Sequence, residues 1–485
     1  MKRLSELLRA VDIAQTHGSL DVDIQGLSYD SRAIAAGDIF FAVVGELSDG
    51  HNYIEQACDR GAAAILCERM PSTLREGVAY IKCASANEAM GLIAAEFYSH
   101  PSRELKIVGV TGTNGKTTTA TLLYDLFRAL GYEVGLISTV VYRIGTREIP
   151  STHTTPDALR LQAMLREMVD CGCSYCFMEI SSHALVQGRN VGLELAGALF
   201  TNLTRDHLDY HKTFAEYLRA KQSLFDSLSK ESFALTNIDD RNGEIMLQNS
   251  RARKYSYSLR AMADFRARII EMHLDGMLLK VDDNELWVNL LGRFNAYNLL
   301  AIYATAILLG QRGDETLLAM SSLHSPSGRF EYLRSESGVT AIIDYAHTPD
   351  ALESVLETIA QLSSGSRVIV VCGCGGDRDR GKRPEMAAIA MKYAHRAIFT
   401  SDNPRGEDPT QIIAEMEAGV AGQMGRYLKI VDRAEAIRTA VMLAQSGDIV
   451  LIAGKGHEKY QIIGKERTHF DDKEVVGEIF KQIKG

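Results

Sequence analysis

The 485-residue chain carries 53 Lys and Arg against 62 Asp and Glu, a formal charge of −9, so no general basic field draws it to nucleic acid or to an anionic membrane. Its 46% hydrophobic and 24% charged residues exclude a disordered chain, and at roughly 150 residues per domain its length points to about three domains. The apolar run near residues 304–310 is far shorter than the roughly 20 residues of a bilayer span, and the charge-studded N-terminus lacks the apolar segment of a secretion signal. The expectation is a cytoplasmic monomer that binds neither nucleic acid nor membrane and holds its ligands by local charge. The 8 cysteines, including Cys171, Cys173 and Cys176, lack a second pair at zinc spacing and read as buried reduced thiols.

In chain order, residues 1–102 read as a small α/β module with strands near 39–44 and 63–67 and helically spaced leucines at the start. Residues 100–102 read as a linker. Residues 106–110 form a β-rich run, followed by a Gly/Thr loop and an amphipathic helix over 118–130 that Gly131 stops; another strand follows at 134–138. Further strands are expected at 175–180, 197–202 and 233–237. After Gly328 the alternation restarts, with strands at 339–345, 367–372, 397–401 and 448–453 and helices at 349–362, 383–393, 409–419 and 433–445. The fold class is therefore α/β in three domains. A small N-terminal α/β domain spans 1–102, a central P-loop ATPase domain with a mainly parallel sheet spans 103–332, and a C-terminal Rossmann-like, doubly wound domain spans 333–485. Parallel strands open their carboxyl ends onto one edge, where ligands bind, and four polar loops at 344–349, 375–380, 401–405 and 454–458 gather there.

The loop Gly112-Thr113-Asn114-Gly115-Lys116-Thr117-Thr118 lies between strand and helix. Its backbone N–H groups and the helix N-terminus suit phosphates, Lys116 can reach the β and γ oxygens, and the Thr117 hydroxyl suits Mg²⁺. It is a variant loop, because Val110 stands where the usual pattern has its first glycine. Glu179, at a strand's carboxyl end, suits the same cation. The next strand runs into a cluster holding Asp206, His207, Asp209 and His211, too rich in ionisable groups for a plain connector.

Gly112-Thr-Asn-Gly-Lys-Thr-Thr, Glu179-Ile-Ser-Ser-His, Asn202-Leu-Thr-Arg-Asp-His-Leu-Asp-Tyr-His and Asp402-Asn-Pro-Arg405, in this order, resemble the Mur ligase family. The likeness spans the chain and is nearest to the members that add meso-diaminopimelate to UDP-N-acetylmuramoyl-L-alanyl-D-glutamate. It implies domains for the UDP substrate, ATP and the amino acid in turn, and an amide made through an acyl phosphate. It further implies that Thr117, Glu179, His207 and Lys221 serve Mg²⁺, with Lys221 carbamylated, although by its position Lys221 reads only as an exposed helical lysine. Asn295, Arg329, Asp344 and His347 match nucleotide contacts. Tyr29, Ser31, Glu46, Leu47 and Ser48 match the UDP site, and Thr154, Thr155, Ser181, Gln187 and Arg189 the muramoyl-dipeptide site. Arg378, Asp402, Asn403, Pro404, Arg405, Gly454 and Glu458 match the amino-acid pocket, where two guanidinium forks and an anion complement a doubly zwitterionic substrate. The competing readings are a lysine-adding sister ligase, a folylpolyglutamate synthetase-like ligase and, from another class, a P-loop kinase. The arginine of Asp-Asn-Pro-Arg argues against the lysine-adding relatives, and a kinase leaves the C-terminal domain without a task.

Overall fold

The computed structural model describes residues 1–45, 48–362, 365–423 and 425–482. Its N-terminal sheet runs in the order Ile13–His17, Ala79–Cys83, Ala64–Cys67, Ile39–Ala42, Leu27–Ser28, with only the first strand antiparallel. Ile39–Ala42 and Ala64–Cys67 are buried throughout, which is why they read as continuous apolar runs. The N-terminal leucines form a single helical turn, Leu4–Leu7, whose Leu4 and Leu7 pack against Ile24 and Ile39. Residues 100–102 are not an open linker. Pro101–Arg103 is a 3₁₀ turn with Pro101 and Ser102 buried, and Ser102 Oγ accepts the Glu194 amide at 3.1 Å.

The central sheet has eleven strands. Its parallel heart is ordered Val134–Ile137, Tyr175–Glu179, Lys106–Thr111, Gly197–Phe200, Phe233–Asn237, Arg253–Ser258, which brings the ends of the phosphate loop's strand, the Glu179 strand and the strand leading to His207 side by side. The parallel strand Arg253–Ser258 and the antiparallel additions at the two edges, Val141–Ile144 with Arg147–Pro150 and Phe265–His273 with Gly276–Val281 and Asn284–Val288, are elements that sequence reasoning did not find. Phe265–His273 buries only Ala267 fully, so its hydrophobic signal is weak.

The C-terminal sheet is ordered Glu331–Arg334, Thr340–Asp344, Ile449–Ala453, Val368–Cys372, Arg396–Phe399, Tyr427–Lys429, parallel except at its first strand. The four strands expected from the sequence are its inner ones, and their loops share one edge as the parallel arrangement requires. The Cys residues are all unpaired thiols, buried as expected except Cys171, which is exposed.

Behind that edge lies a fully buried ion pair. Arg433 donates to both Asp472 oxygens at 2.8 Å, to the Ser401 carbonyl at 3.4 Å and to the Ala453 carbonyl at 3.1 Å, which gathers two strand ends just before Asp402 and Gly454. Arg433→Met would strand the Asp472 charge and should cost about 3–5 kcal/mol in denaturant unfolding, whereas Arg433→Met with Asp472→Leu should recover most of that loss. Equal losses in the single and double variants would refute this account.

Candidate active site

The phosphate loop leaves strand Lys106–Thr111 at Gly112 (φ 148°) and enters helix Lys116–Ala129 after Gly115 (φ 86°). A Cβ at Gly112 would collide with Thr201 Oγ1, and one at Gly115 would lie 2.7 Å from Asn298 Oδ1, so close packing as well as φ demands glycine at both. The loop is clamped from outside. Thr201 Oγ1 donates to the Asn114 carbonyl at 2.6 Å, Asn202 Oδ1 accepts the Asn114 amide at 2.9 Å, and Thr113 Oγ1 lies 3.1 Å from the Tyr217 hydroxyl. Asn295 works from behind: its Nδ2 donates to the Leu291 carbonyl at 2.8 Å and its Oδ1 accepts from Asn298 at 3.2 Å, while Asn298 Oδ1 accepts the Thr119 hydroxyl at 3.3 Å. Thr118 is buried in the first turn.

Lys116 Nζ donates to the Gly112 and Thr113 carbonyls at 2.9 and 2.8 Å, across the loop. Thr117 Oγ1 accepts from Arg329 at 3.1 Å, and the Arg329 Nε is buried without a hydrogen-bond partner, a donor in want of an acceptor. Glu179 is fully buried, yet its oxygens take only the Thr139 amide at 2.7 Å and the Thr139 hydroxyl at 3.2 Å. His207 sits at φ 54° with Nε2 3.4 Å from Asp206, and burial lowers its imidazole to about 3.

Lys221 is not the exposed lysine that the sequence suggests. It is 1% exposed, its Nζ donates to the Gly112 carbonyl at 2.8 Å, and that nitrogen lies 4.7 Å from the Tyr217 ring centre. Burial, with Lys116 nearby, holds its amine well below the ordinary lysine range. Tyr217, four residues earlier on helix Phe214–Asp226, escaped the sequence reading although i,i+4 spacing placed it on the same face. Thr139, the partner of Glu179, carried no motif. Among the described residues no group of three His, Cys, Asp or Glu side chains is arranged to hold a metal ion. Thr117 offers a hydroxyl, Glu179 a buried carboxylate and His207 an imidazole, donor types that could serve a cation only together with phosphate oxygens and water.

The residues expected to hold the muramoyl dipeptide converge on Glu179. Thr155 Oγ1 donates to the Glu179 carbonyl at 2.9 Å and accepts the Ser181 amide at 3.2 Å, and Thr154 Oγ1 lies 3.1 Å from Thr139 Oγ1. Ser181 caps helix Ser182–Val186. Arg189 donates to the Thr155 carbonyl at 2.8 Å and, through two nitrogens, to Gln187 Oε1 at 2.9 and 2.5 Å. In the first domain Tyr29 is about half exposed beside Asp157, and partial burial, with the Asp157 carboxylate, pushes the phenol up. Ser31 Oγ donates to Gln56 at 2.6 Å, and Ser48 is exposed. Glu46 and Leu47 lie outside the described residues.

At the C-terminal edge, Asp344 Oδ2 accepts the Phe330 amide at 2.7 Å, and burial raises this carboxyl to about 6. His347 Nδ1 lies 2.8 Å from the Tyr345 carbonyl, and its own carbonyl accepts Lys382 Nζ at 3.0 Å. Gly454 has φ 119°, and a Cβ there would lie 2.5 Å from Asp402 Oδ2. Glu458 is not a lone anion: Oε2 accepts Asn403 Nδ2 at 2.8 Å and buried Lys455 Nζ at 3.4 Å, whereas Oε1 has only the Tyr345 and Tyr460 hydroxyls, each at 3.5 Å. One oxygen thus remains weakly held. Lys455 was missed because an interior lysine within a Gly-Lys-Gly turn looks like a surface one. Arg378 is exposed and donates to the Asp377 carbonyl at 3.3 Å; Arg405 donates to the Gly376 carbonyl at 2.8 Å. The Pro404 carbonyl accepts the Glu407 amide at 3.1 Å.

The phosphate loop and the C-terminal edge are joined by side-chain contacts. Beyond the Arg329 contact with Thr117, Asn114 Nδ2 donates to Asp350 at 2.9 Å, and Arg205 pairs with Glu385 at 3.1 Å and Asp379 at 3.4 Å. Residues 110–306 match the Mur ligase middle domain, 328–456 the Mur ligase glutamate ligase domain and 23–98 the Mur ligase family catalytic domain. A Bacteroides thetaiotaomicron protein named UDP-N-acetylmuramoyl-L-alanyl-D-glutamate--2,6-diaminopimelate ligase is 53% identical over 98% of this chain and 99% of its own. A Bacteroides fragilis protein of the same name is 52% identical over 99% of each chain. A solved structure of a ligase so named superposes with a TM-score of 0.70 at 34% identity, covering 100% of this chain and 99% of the other.

Proposed function

Because this chain belongs to the Mur ligase family, we propose that it joins meso-diaminopimelate to UDP-N-acetylmuramoyl-L-alanyl-D-glutamate at the cost of one ATP, releasing ADP and phosphate for peptidoglycan precursor synthesis. The observation that carries this reading is the junction of the phosphate loop with the C-terminal pocket, where Arg329 reaches Thr117 from the segment that leads into the second sheet. A kinase has no use for that second pocket.

In the first step a glutamyl carboxylate oxygen attacks the γ-phosphorus and ADP leaves, giving an acyl phosphate. In the second the free amine of the amino acid attacks the acyl carbon, and the tetrahedral intermediate expels phosphate and loses a proton. Lys116 exchanges its two loop carbonyls for phosphate oxygens and draws off the charge that develops there. Arg329, with its unpaired Nε, faces the same anions. Thr117, Glu179, His207 and carbamylated Lys221 would hold Mg²⁺, which when bound screens the two approaching anions from each other. Thr154, Thr155, Ser181, Gln187 and Arg189 orient the dipeptide, and Tyr29, Ser31, Glu46, Leu47 and Ser48 serve the UDP end. Arg378, Asp402, Asn403, Pro404, Arg405, Gly454 and Glu458 form the amino-acid pocket, and Asn295, Asp344 and His347 support the nucleotide. Domains 1–102, 103–332 and 333–485 take one substrate each, in a cytoplasmic monomer. No helix among the described residues is long and apolar enough to cross a membrane.

The test is mass spectrometry of the product from the UDP-dipeptide, ATP and a mixture of diamino acids. ADP release should require the nucleotide substrate and an amino acid together, and ADP release without an amino acid would overturn the ligase reading.

The Lys221 environment supports carbamylation, because only an uncharged amine attacks CO₂ and burial weakens this amine's hold on its proton. The product is an anion that can balance a cation beside a triphosphate. Lys221→Ala should lose at least about 100-fold in turnover, with partial rescue by small carboxylates such as acetate. A carbamate ¹³C resonance under ¹³CO₂ should be present in the wild type and absent from the variant. An unchanged rate with unchanged Mg²⁺ dependence would refute the assignment.

A further inference from the structure

Tyr345 follows strand Thr340–Asp344 and stands between the two halves of the proposed site, in none of the roles assigned above. The Arg329 guanidinium carbon lies 4.5 Å from its ring centre, and the rings of His347 and His457 lie 4.6 and 4.8 Å away. Its hydroxyl is 3.5 Å from Glu458 Oε1, the oxygen that Asn403 and Lys455 leave free. The packing around it admits no slack. A Cβ at Gly456 would lie 2.7 Å from the Tyr345 Cβ and 2.6 Å from the Gly328 carbonyl, and one at Gly328 would collide with the His457 amide. Three segments, 327–329, 344–347 and 456–458, therefore close on one ring. That ring touches the arginine on Thr117 at its face and the pocket carboxylate at its edge.

We propose that Tyr345 is a positioning residue that sets the phosphate-side arginine and the amino-acid-side carboxylate in register, its ring supporting Arg329 and its hydroxyl orienting Glu458. The inference rests on the ligase reading above. A planar cation on an aromatic face is held in orientation as well as in place. The buried phenol keeps its proton and donates to Oε1, which it shares with the Tyr460 hydroxyl at the same 3.5 Å, and two contacts this long yield readily to an incoming ammonium.

The two contacts separate by substitution. Tyr345→Phe keeps the ring and should raise KM for diaminopimelate about 5-fold while KM for ATP stays within about 2-fold of wild type. Tyr345→Leu removes the ring as well and should raise KM for ATP by about 5-fold or more and lower kcat. Melting curves taken alongside report folding, and the Phe variant, which changes one oxygen, keeps the test open if the Leu variant is unstable. Phe behaviour equal to wild type, or a fall in kcat alone with both KM values unmoved in either variant, would overturn the assignment. A wild-type enzyme that forms no amide would overturn the ligase reading instead.

Discussion

Lys116→Ala should abolish ligation, with a loss of at least about 10³-fold in ADP release at saturating substrates, while the melting temperature stays near that of the wild type. The two effects separate because the lysine does little for the fold. Its Nζ meets only the Gly112 and Thr113 carbonyls, and the Gly112 carbonyl keeps a second donor in Lys221 Nζ at 2.8 Å. The loop's shape is held from outside by Thr201, Asn202 and Asn298. Lys116 is the sole cationic side chain of residues 112–118, so no neighbour on the loop would take its place beside a transferring phosphoryl group. Ligation within a few-fold of wild type in a normally folded variant would remove Lys116 from the site.

The enzyme should prefer meso-diaminopimelate to L-lysine by about 10⁴ in kcat/KM, and Arg405→Ala should lose activity toward diaminopimelate far more than toward lysine. The amino acids differ in the distal carboxylate, which lysine lacks. Arg405 could instead have been consumed by its acidic neighbours, but the structure assigns those elsewhere: Glu407 pairs with buried Arg383 at 2.8 Å, and Asp408 caps helix Pro409–Glu417. Among the described residues the Arg405 guanidinium donates to the Gly376 carbonyl alone, so its fork retains donors for a carboxylate. Its backbone at φ 51° is pinned by the Ile462 carbonyl at 3.1 Å and the Gly464 amide at 2.7 Å, which places the side chain before the ligand arrives. A site with that donor unpaired penalises lysine far beyond the roughly 10–200-fold that a hydrophobic pocket achieves. Comparable use of both amino acids by the wild type, or equal losses in the variant, would refute the role.

The sequence alone determined the α/β class, five neighbouring parallel strands of the central sheet from Val134–Ile137 to Phe233–Asn237, the four inner strands of the C-terminal sheet and the four C-terminal loops on one edge. Fully buried parallel strands must be continuous apolar runs, and Gly-rich strand-to-helix turns are local features. Phosphate-loop, Glu179 and Asp402–Arg405 motifs were legible for the same reason, since each lies within a few residues of one strand end. Tertiary structure decided everything that depends on what stands opposite. The edge hairpins from Val141 and Phe265 lack the apolar runs of the inner strands and form by pairing with neighbours the pattern does not announce. Lys221 has the spacing of a surface lysine and becomes a buried amine only because its helix packs beneath the phosphate loop. Glu458 and Lys455 sit three residues apart and look like solvated charges, yet Lys455 is fully buried and Asn403, from another strand end, joins them. Tyr345 shows the limit most clearly. Its partners come from residues 329, 347, 457 and 458, and only the folded chain brings Arg329 and Glu458 to a single ring, because burial and contact are properties of the packed whole.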